Sequence, residues 1–162
     1  MTTASLPHRA LWKPNTVVAA IVEREGRYLC VEEDDGGRAV FNQPAGHLDP
    51  GESLLEAVRR ETLEESGWHI EPTGLVGIYL SQPPDSEVTY LRFCFRATAL
   101  RQAPERPLDP EIIRAVWLTR AELFALRDRH RSPLVMRCVD DAMSGQDTPL
   151  ALLRDLRFPA PG

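Results

Sequence analysis

The feature that most limits how this chain can fold is the stretch of residues 46–68, GHLDPGESLLEAVRRETLEESGW. Ser53 can cap a helix that begins at residue 54, and Glu56 stands where its side chain can return to the amide of the cap. Gly67 readily takes the left-handed conformation in which many helices end. The sequence therefore predicts a helix over residues 54–66 with both ends defined.

The predicted helix separates apolar from acidic side chains. Its inward face at a period of 3.6 residues contains Leu54, Leu55, Val58 and Thr62. Glu61 lies three and four positions before Glu64 and Glu65, so the three carboxylates are neighbours near the helix end. Each pair of like charges costs roughly 0.2–0.5 kcal/mol, and acidic groups in a last turn also oppose the helix dipole. Two interpretations remain open: a solvated charged face, or a site for a hard divalent cation such as magnesium.

Size and charge limit the function classes. At 162 residues and 18.2 kDa, we expect one domain over residues 1–162, with a core from about residue 14 to residue 158. The net charge of −5 argues against tight binding to nucleic acid, which needs a basic surface. The chain shows no signal-like stretch in residues 1–13 and no run of roughly 20 apolar residues, so we expect a cytoplasmic protein without a membrane segment.

Cys30, Cys94 and Cys138 are far apart and form no Cys-x-x-Cys pair. This spacing argues against a zinc or disulfide framework. Cys30 and Cys94 stand within apolar runs, which predicts buried thiols.

The remaining elements are predicted from alternation and turn residues. Residues 16–23 and 27–32 form a hairpin around Glu25 and Gly26, with a turn over residues 34–37 and a short strand over 39–42 that ends before Pro44. Further strands are expected over residues 74–81, 88–100 and 112–118. In the second of these, alternate apolar positions predict a half-buried strand.

Two more helices follow. Thr119 is a predicted N-cap for a helix from Arg120, with Glu122 at the reciprocal position, and a last helix covers residues 133–143 and stops near Gly145. This order favours a mixed sheet with helices on its faces.

The stretch 46–68 resembles the Nudix signature at every fixed position. Gly46 is followed after five residues by Glu52 and after seven more by Arg60-Glu61-Thr62-Leu63-Glu64-Glu65, then by Gly67 and Trp68. Thr62 replaces a larger aliphatic residue, a departure that concerns packing. The resemblance implies an α/β (α+β) fold of the Nudix type, an α/β/α sandwich with a mixed sheet, and hydrolysis of phosphoanhydride bonds with Mg²⁺ or Mn²⁺.

Three further runs resemble one subgroup of Nudix phosphatases: residues 42–48, 91–93 and 131–135. Members of that subgroup hydrolyse nucleoside triphosphates and diphosphates, and also hydroxymethylpyrimidine pyrophosphate. The resemblance extends from about residue 14 to residue 158. It implies a small nucleotide or pyrophosphate substrate and release of the terminal phosphate.

The resemblance also implies roles for individual residues. Metal ligands are expected from Glu61, Glu64, Glu65 and the backbone carbonyl of Ala45. Arg60 matches the arginine that orients the glutamates, which is compatible with an ordinary helix ion pair. Glu52 could support the site or act as a base, and support is favoured. Glu64 or Glu65 is expected to combine metal binding with holding the attacking water, while the identity of the base differs among family members and stays open.

Candidates outside the signature are weighed against plainer roles. Glu111, and less so Asp109, could add an acidic group to the site or be solvent-facing loop residues. The candidate substrate contacts are Phe41, Gln43, His47, Tyr90 and Arg92. Phe41 and Tyr90 could stack on a base or pack in the core, and Arg92 or Arg27 could bind phosphate or remain at the surface. His8, His69 and His130 have no partner at ligand spacing and are assigned no function.

Two other function classes stay open. One is a pyrophosphohydrolase of a nucleotide sugar, dinucleotide or oxidised nucleotide, although the chain leaves little room for added specificity loops. The other is a Nudix domain that binds ligands without hydrolysing them; all four signature glutamates are present, which favours an enzyme. We expect a monomer or homodimer.

Overall fold

The computed structural model describes residues 11–156 of the chain. Its strands are β1 (Asn15–Arg24), β2 (Arg27–Asp34), β3 (Ala39–Asn42), β4 (Ala45–His47), β5 (Trp68–Ser81), β6 (Tyr90–Gln102) and β7 (Ile112–Thr119). Its α-helices are α1 (Leu54–Ser66), α2 (Arg120–Ala125) and α3 (Leu134–Met143), with short 3₁₀ turns at Arg127–Arg129 and Leu150–Leu152. His8 and the proline-rich residues 158–162 lie outside the described range.

The strands form a mixed sheet. β1 pairs in parallel with β6 and antiparallel with β4, while β5 pairs antiparallel with the far side of β6. A tight hairpin joins β1 to β2, which pairs antiparallel with both β3 and β7. The β4 strand, which carries the signature glycine, therefore lies beside the central strand β1. The predicted mixed α+β architecture is confirmed.

Apolar layers cover both faces of the sheet. Val18, Ala20 and Phe95 pack with Ala57 and Val58 of α1 on one face. On the other, Ala19 and Cys94 pack against Val135, Cys138 and Val139 of α3. The prediction that β6 is half-buried is therefore wrong, because α3 covers the face that its polar residues suggested was exposed. Cys30 and Cys94 are buried as predicted, and Cys138 is also buried.

Several predicted boundaries also shift. β5 begins at Trp68 instead of residue 74, because the left-handed Gly67 turns the chain directly from α1 into the strand. The residues that suggested an interruption, Pro72 and Gly74, lie at a register shift that the long β5–β6 pair accommodates. β6 begins and ends two residues later than predicted. The sequence did not predict β4, since Pro44 separates only three paired residues from β3.

The departure at Thr62 is accommodated within α1. Thr62 is fully buried, and its hydroxyl donates to the carbonyl of Val58 at 2.7 Å. A buried polar group with such a partner avoids most of its desolvation cost. Within residues 11–156, no helix combines the length and the apolar composition needed to span a membrane.

Candidate active site

The helix that carries the glutamates has the ends that the sequence predicts. The Ser53 hydroxyl accepts from the amide of Glu56, the Glu56 carboxylate accepts from the amide of Ser53, and Gly67 has a φ of 72°. Capping satisfies amides that the first turn leaves unpaired. The caps fix the register of α1, so that Glu61 and Glu65 are buried and Glu64 is half-buried.

Arg60 is the centre of the charged network. It donates to both Glu52 oxygens, from Nε at 3.0 Å and from Nη2 at 2.6 Å. Its Nη1 donates to Glu61 at 2.8 Å and to Glu64 at 3.0 Å, and Nη2 also donates to the carbonyl of His47 at 2.9 Å. A guanidinium has five N–H groups, and these five bonds use all of them. The predicted orienting role of Arg60 matches this geometry.

Glu52 is held in its charged form by this network. The hydrogen bonds from Arg60 keep the pKa of Glu52 below its ordinary value, and the amide of Asp49 adds another at 2.7 Å. Glu52 donates no proton and accepts from two partners, which fits support of Arg60 rather than contact with a substrate.

Gly46 brings the backbone of β4 against Glu61. A Cβ atom at this position would lie 2.1 Å from the carboxyl carbon of Glu61, far inside van der Waals contact. Glycine is required there because any side chain would displace the carboxylate that Arg60 holds. β1 fixes the position of β4, since Val18 pairs with Gly46.

Glu65 lies next to the edge of the same strand. The amide of Ala45 donates to Glu65 Oε2 at 2.8 Å. Burial raises the pKa of Glu65 to about 9; the Ala45 hydrogen bond opposes this shift, while Glu33, Glu61 and Asp109 add to it. Burial also raises the pKa of Glu61, against the lowering effect of Arg60. Two carboxyl groups that resist ionisation are thus gathered at one place, and a cation would reverse their shifts.

The donor set suits a hard divalent cation, because its side-chain ligands are all carboxylate oxygens. Arg60 or Ala45 takes one oxygen of each glutamate, and the other oxygens, Glu61 Oε2, Glu64 Oε1 and Glu65 Oε1, accept no hydrogen bond from residues 11–156. The described acidic, His and Cys side chains do not yet converge on a common metal-binding point.

The loop between β6 and β7 brings another acidic group to this end of α1. The amide of Asp109 donates to the carbonyl of Glu64 at 3.0 Å, and the amide of Ala103 donates to Gly67 at 2.7 Å. Burial raises the pKa of Asp109, with further contributions from Glu64 and Glu111. Asp109 in turn raises the pKa of Glu61 and Glu65. Glu111 is exposed, whereas Asp109 is half-buried and its backbone bonds to Glu64, so Asp109 is the better placed of the two candidates.

Of the candidate substrate contacts, His47 and Tyr90 lie near the surface and Arg92 is buried. The rings of His47 and Tyr90 lie 6.4 Å apart at the open end of the sheet, with His47 exposed and Tyr90 half-buried. Arg92 is 8% exposed, and its Nη1 has no hydrogen-bond partner within residues 11–156. The Arg92 side chain also hydrogen-bonds Cys138, whose pKa is lowered by Cys94 and by this bond. Because a buried donor without a partner is costly, Nη1 of Arg92 is a candidate contact for an anionic ligand.

Two other candidates have structural contacts. Phe41 is 2% exposed beneath the guanidinium of Arg129, 4.8 Å from the ring centre, so it packs in the core, as the plainer interpretation had it. Gln43 donates from Nε2 to the carbonyl of Val135 at 2.6 Å, which joins the β3–β4 segment to α3, while its Oε1 has no partner among residues 11–156. Arg27 pairs with Glu122 on the surface, 2.8 Å away.

Sequence reasoning did not identify three residues at this site. Glu33 is 5% exposed and raises the pKa of Glu65. Arg131 lies 3.1 Å from Glu33, and Arg106 lies 3.8 Å from Glu64. These residues are remote in sequence from α1, and none belongs to a local motif with a known spacing. The subgroup resemblance at residues 131–135 was the available signal for Arg131.

Comparison with known proteins agrees with this geometry. The profile of the NUDIX domain matches residues 12–137. Phosphatase NudJ from Escherichia coli K12 is 36% identical over 149 residues, which is 92% of this chain and 96% of that protein. A NUDIX hydrolase from Nitrosomonas europaea is 44% identical and superposes with a TM-score of 0.87, over 89% of this chain and 98% of the other.

A more distant structure shares the fold alone. The NUDIX domain of Shewanella oneidensis NrtR, solved with ADP ribose, is 17% identical with a TM-score of 0.67, and the match covers 90% of this chain and 99% of that one. The fold, the capped helix with its glutamates and the profile match lead to one conclusion: the chain belongs to the Nudix hydrolase family, whose members generally use divalent metal ions.

Proposed function

We propose that this hydrolase releases the terminal phosphate from small nucleoside triphosphates and diphosphates, or from related pyrophosphates such as hydroxymethylpyrimidine pyrophosphate, with Mg²⁺ or Mn²⁺ as cofactor. The observation that carries the proposal is the arrangement in which Arg60 binds both Glu61 and Glu64 and the Glu61 carboxylate lies against the backbone of Gly46. The likeness to the phosphatase NudJ over 92% of the chain supports the phosphatase activity.

Glu61, Glu64 and Glu65 would hold the metal, with the carbonyl of Ala45 as a further ligand. The bound ion would neutralise phosphate charge and lower the pKa of water. Ala45 keeps Glu65 beside the strand edge through its amide. Arg60 holds one oxygen each of Glu61 and Glu64, and two hydrogen bonds to Glu52 keep Arg60 in place.

The reaction consumes one water for each phosphate released. The water oxygen forms a bond to the terminal phosphorus, the bond from that phosphorus to the bridging oxygen breaks, and the leaving group, a diphosphate when the substrate is a triphosphate, keeps the electron pair on that oxygen. Glu64 or Glu65 accepts the proton of the water. Glu65 has a pKa of about 9 before a cation is bound, so it is protonated at neutral pH and can accept the proton only after a cation has favoured its ionised form.

The position of the cleaved bond depends on which phosphorus lies in line with the attacking water. A shift by one phosphate changes the product without any change in the glutamates. Terminal release requires firm contacts to the phosphates and loose contacts to the base. The half-buried Tyr90 and the exposed His47 are suited to loose contacts of this kind, because a ring face accepts any base.

The test is hydrolysis of a triphosphate in oxygen-18 water, followed by phosphorus NMR. We expect labelled orthophosphate and a diphosphate first, and the monophosphate later. Pyrophosphate as the sole early product would refute terminal release while leaving the family assignment intact. Turnover of only a nucleotide sugar or a dinucleotide across a metabolite panel would replace the proposed substrate class.

A further inference from the structure

A substrate with several phosphates needs more positive charge than the glutamate site offers. Arg60 is the arginine at the centre of that site, and all five of its N–H groups are bonded to Glu52, Glu61, Glu64 and His47. Arg60 therefore has no donor left for a phosphate. The phosphates that are not attacked must be bound by other groups.

Arg131 is placed to supply such a group. Its amide donates to the carbonyl of Phe41 at 2.9 Å, which anchors the start of the α3 segment to β3. Its side chain is 45% exposed, so the guanidinium is open to a ligand. Arg131 is thus an exposed cation at the point where the α3 segment meets β3.

Glu33 holds this guanidinium. Arg131 Nη1 lies 3.1 Å from Glu33 Oε1, close enough for an ion pair but poorly aligned for a hydrogen bond. The Glu33 carboxylate is 5% exposed and acts electrostatically on Glu65. A buried carboxylate gains most when its cation remains nearby. Asp35 Oδ1 lies 3.8 Å from Nη2 of the same guanidinium, so Glu33 and Asp35 hold Arg131 by ion pairs while its donors are still unused.

Backbone contacts place the Glu33–Arg131 pair near the end of α1. Glu33 pairs with Ile112 across β2 and β7, the amide of Ile112 donates to the carbonyl of Asp109 at 2.9 Å, and the amide of Asp109 donates to the carbonyl of Glu64 at 3.0 Å. The pair is thus close to the turn of α1 that carries Glu64 and Glu65. The planar guanidinium fork matches phosphate oxygens better than a point charge does.

We propose that Arg131, held by Glu33, binds the phosphate that is not attacked and thereby sets which phosphorus lies opposite Glu65. This inference rests on the proposed function, because it assigns the residue that determines the bond cleaved. Arg131 is a substrate-binding residue, and Glu33 is a positioning residue that acts through it.

The experiment compares Arg131→Ala, Arg131→Lys and Glu33→Gln with a matched control, Arg120→Ala. Arg120 has a similar exposure, 43%, and pairs with Asp140 between α2 and α3. For a triphosphate substrate with magnesium, we expect Arg131→Ala to raise KM at least about tenfold, as for loss of a charged hydrogen bond. kcat should stay within about threefold, and the pyrophosphate fraction among the products should rise. The control should match the parent protein.

The two other variants separate binding from structure. Arg131→Lys should recover part of the affinity but not the product ratio, because lysine keeps the charge without the fork. Glu33→Gln should raise KM less than Arg131→Ala, and adding it to Arg131→Ala should have almost no further effect. Thermal unfolding of each variant identifies any loss of fold. If Arg131→Ala unfolds, the KM and the product ratio of Arg131→Lys test the role of Arg131 instead.

A binding measurement makes the inference independent of turnover. Calorimetry uses an adenosine triphosphate analogue with a methylene group between its last two phosphorus atoms, in magnesium. Parent protein that binds the analogue but hydrolyses no anhydride would overturn the proposed function; weaker binding by Arg131→Ala would then still support the role of Arg131. The role of Arg131 would be overturned by any of three results: equal binding of the analogue by both proteins, an unchanged KM and product ratio in Arg131→Ala, or no binding by the parent protein.

Discussion

Replacing Glu65 by Gln should stabilise the metal-free protein at neutral pH. In the structure the amide of Ala45 donates to Glu65 Oε2 at 2.8 Å. Glutamine keeps the volume of the side chain, and its carbonyl oxygen can accept the same hydrogen bond. It removes the carboxyl group that burial and the neighbouring Glu33, Glu61 and Asp109 hold at a pKa of about 9. The substitution therefore removes a penalty without removing a contact.

The penalty has a defined pH dependence. Because the folded pKa of Glu65 lies above the ordinary value of 4.5, folding takes up a proton at intermediate pH. The cost is absent below about pH 4.5, grows between 4.5 and 9, and is constant above 9. At pH 7 the distance from 4.5 is 2.5 pH units, and at about 1.4 kcal/mol each the cost is about 3–4 kcal/mol. In a domain of this size, that corresponds to roughly 6–16 °C in Tm.

The assay is thermal unfolding of parent and variant in chelator, at several pH values from 4 to 9. Glu52→Gln is the matched control with the opposite sign. Arg60 lowers the pKa of Glu52, so the ionised Glu52 stabilises the fold at pH values above its ordinary pKa, and this stabilisation is lost as the pH falls. As the pH rises, we expect the Tm of Glu65→Gln to increase relative to that of the parent protein. The Tm of Glu52→Gln should decrease relative to it.

Magnesium should reduce the difference in Tm between Glu65→Gln and the parent protein. A cation beside Glu65 stabilises the charged carboxylate, which only the parent protein has. A Glu65→Gln variant whose advantage is the same at pH 4.5 and pH 8 would refute the desolvation argument. A variant less stable than the parent protein at pH 8 would refute it as well.

Glu64→Gln should lower kcat at least about 100-fold without changing the circular dichroism spectrum, because it removes charge from the metal site at constant volume; full activity would contradict the site. A chelator should abolish turnover in a phosphate-release assay, and added Mg²⁺ or Mn²⁺ should restore it far better than Zn²⁺, since the ligands are oxygens; activity after exhaustive chelation would exclude a metal enzyme. Gly46→Ala should lower the initial rate at least about tenfold, because the new methyl group would meet the Glu61 carboxylate at 2.1 Å; an unaltered rate would show that the close contact is not needed.

Much of the site could be predicted from the sequence because it lies within one helix. Ser53, Glu56 and Gly67 specify where α1 begins and ends, and the structure has these caps. Once the ends are known, helix geometry places Glu61 beside Glu64 and Glu65, whatever the rest of the chain does. Spacing also explains why Arg60 reaches Glu64, four residues later.

The rest depends on packing between segments remote in the chain. Sequence could not show that α3 covers β6 and buries Arg92, because burial of a strand face depends on what lies across it. Nor could it place Glu33 near Glu65, since strand pairing brings β2 to the site. Asp109 is favoured over Glu111 by its burial and by the backbone bond that ties its loop to Glu64. Local spacing thus determined the catalytic helix, whereas the surroundings that bury its carboxylates and supply Arg131 came from tertiary contacts, which no short-range pattern encodes.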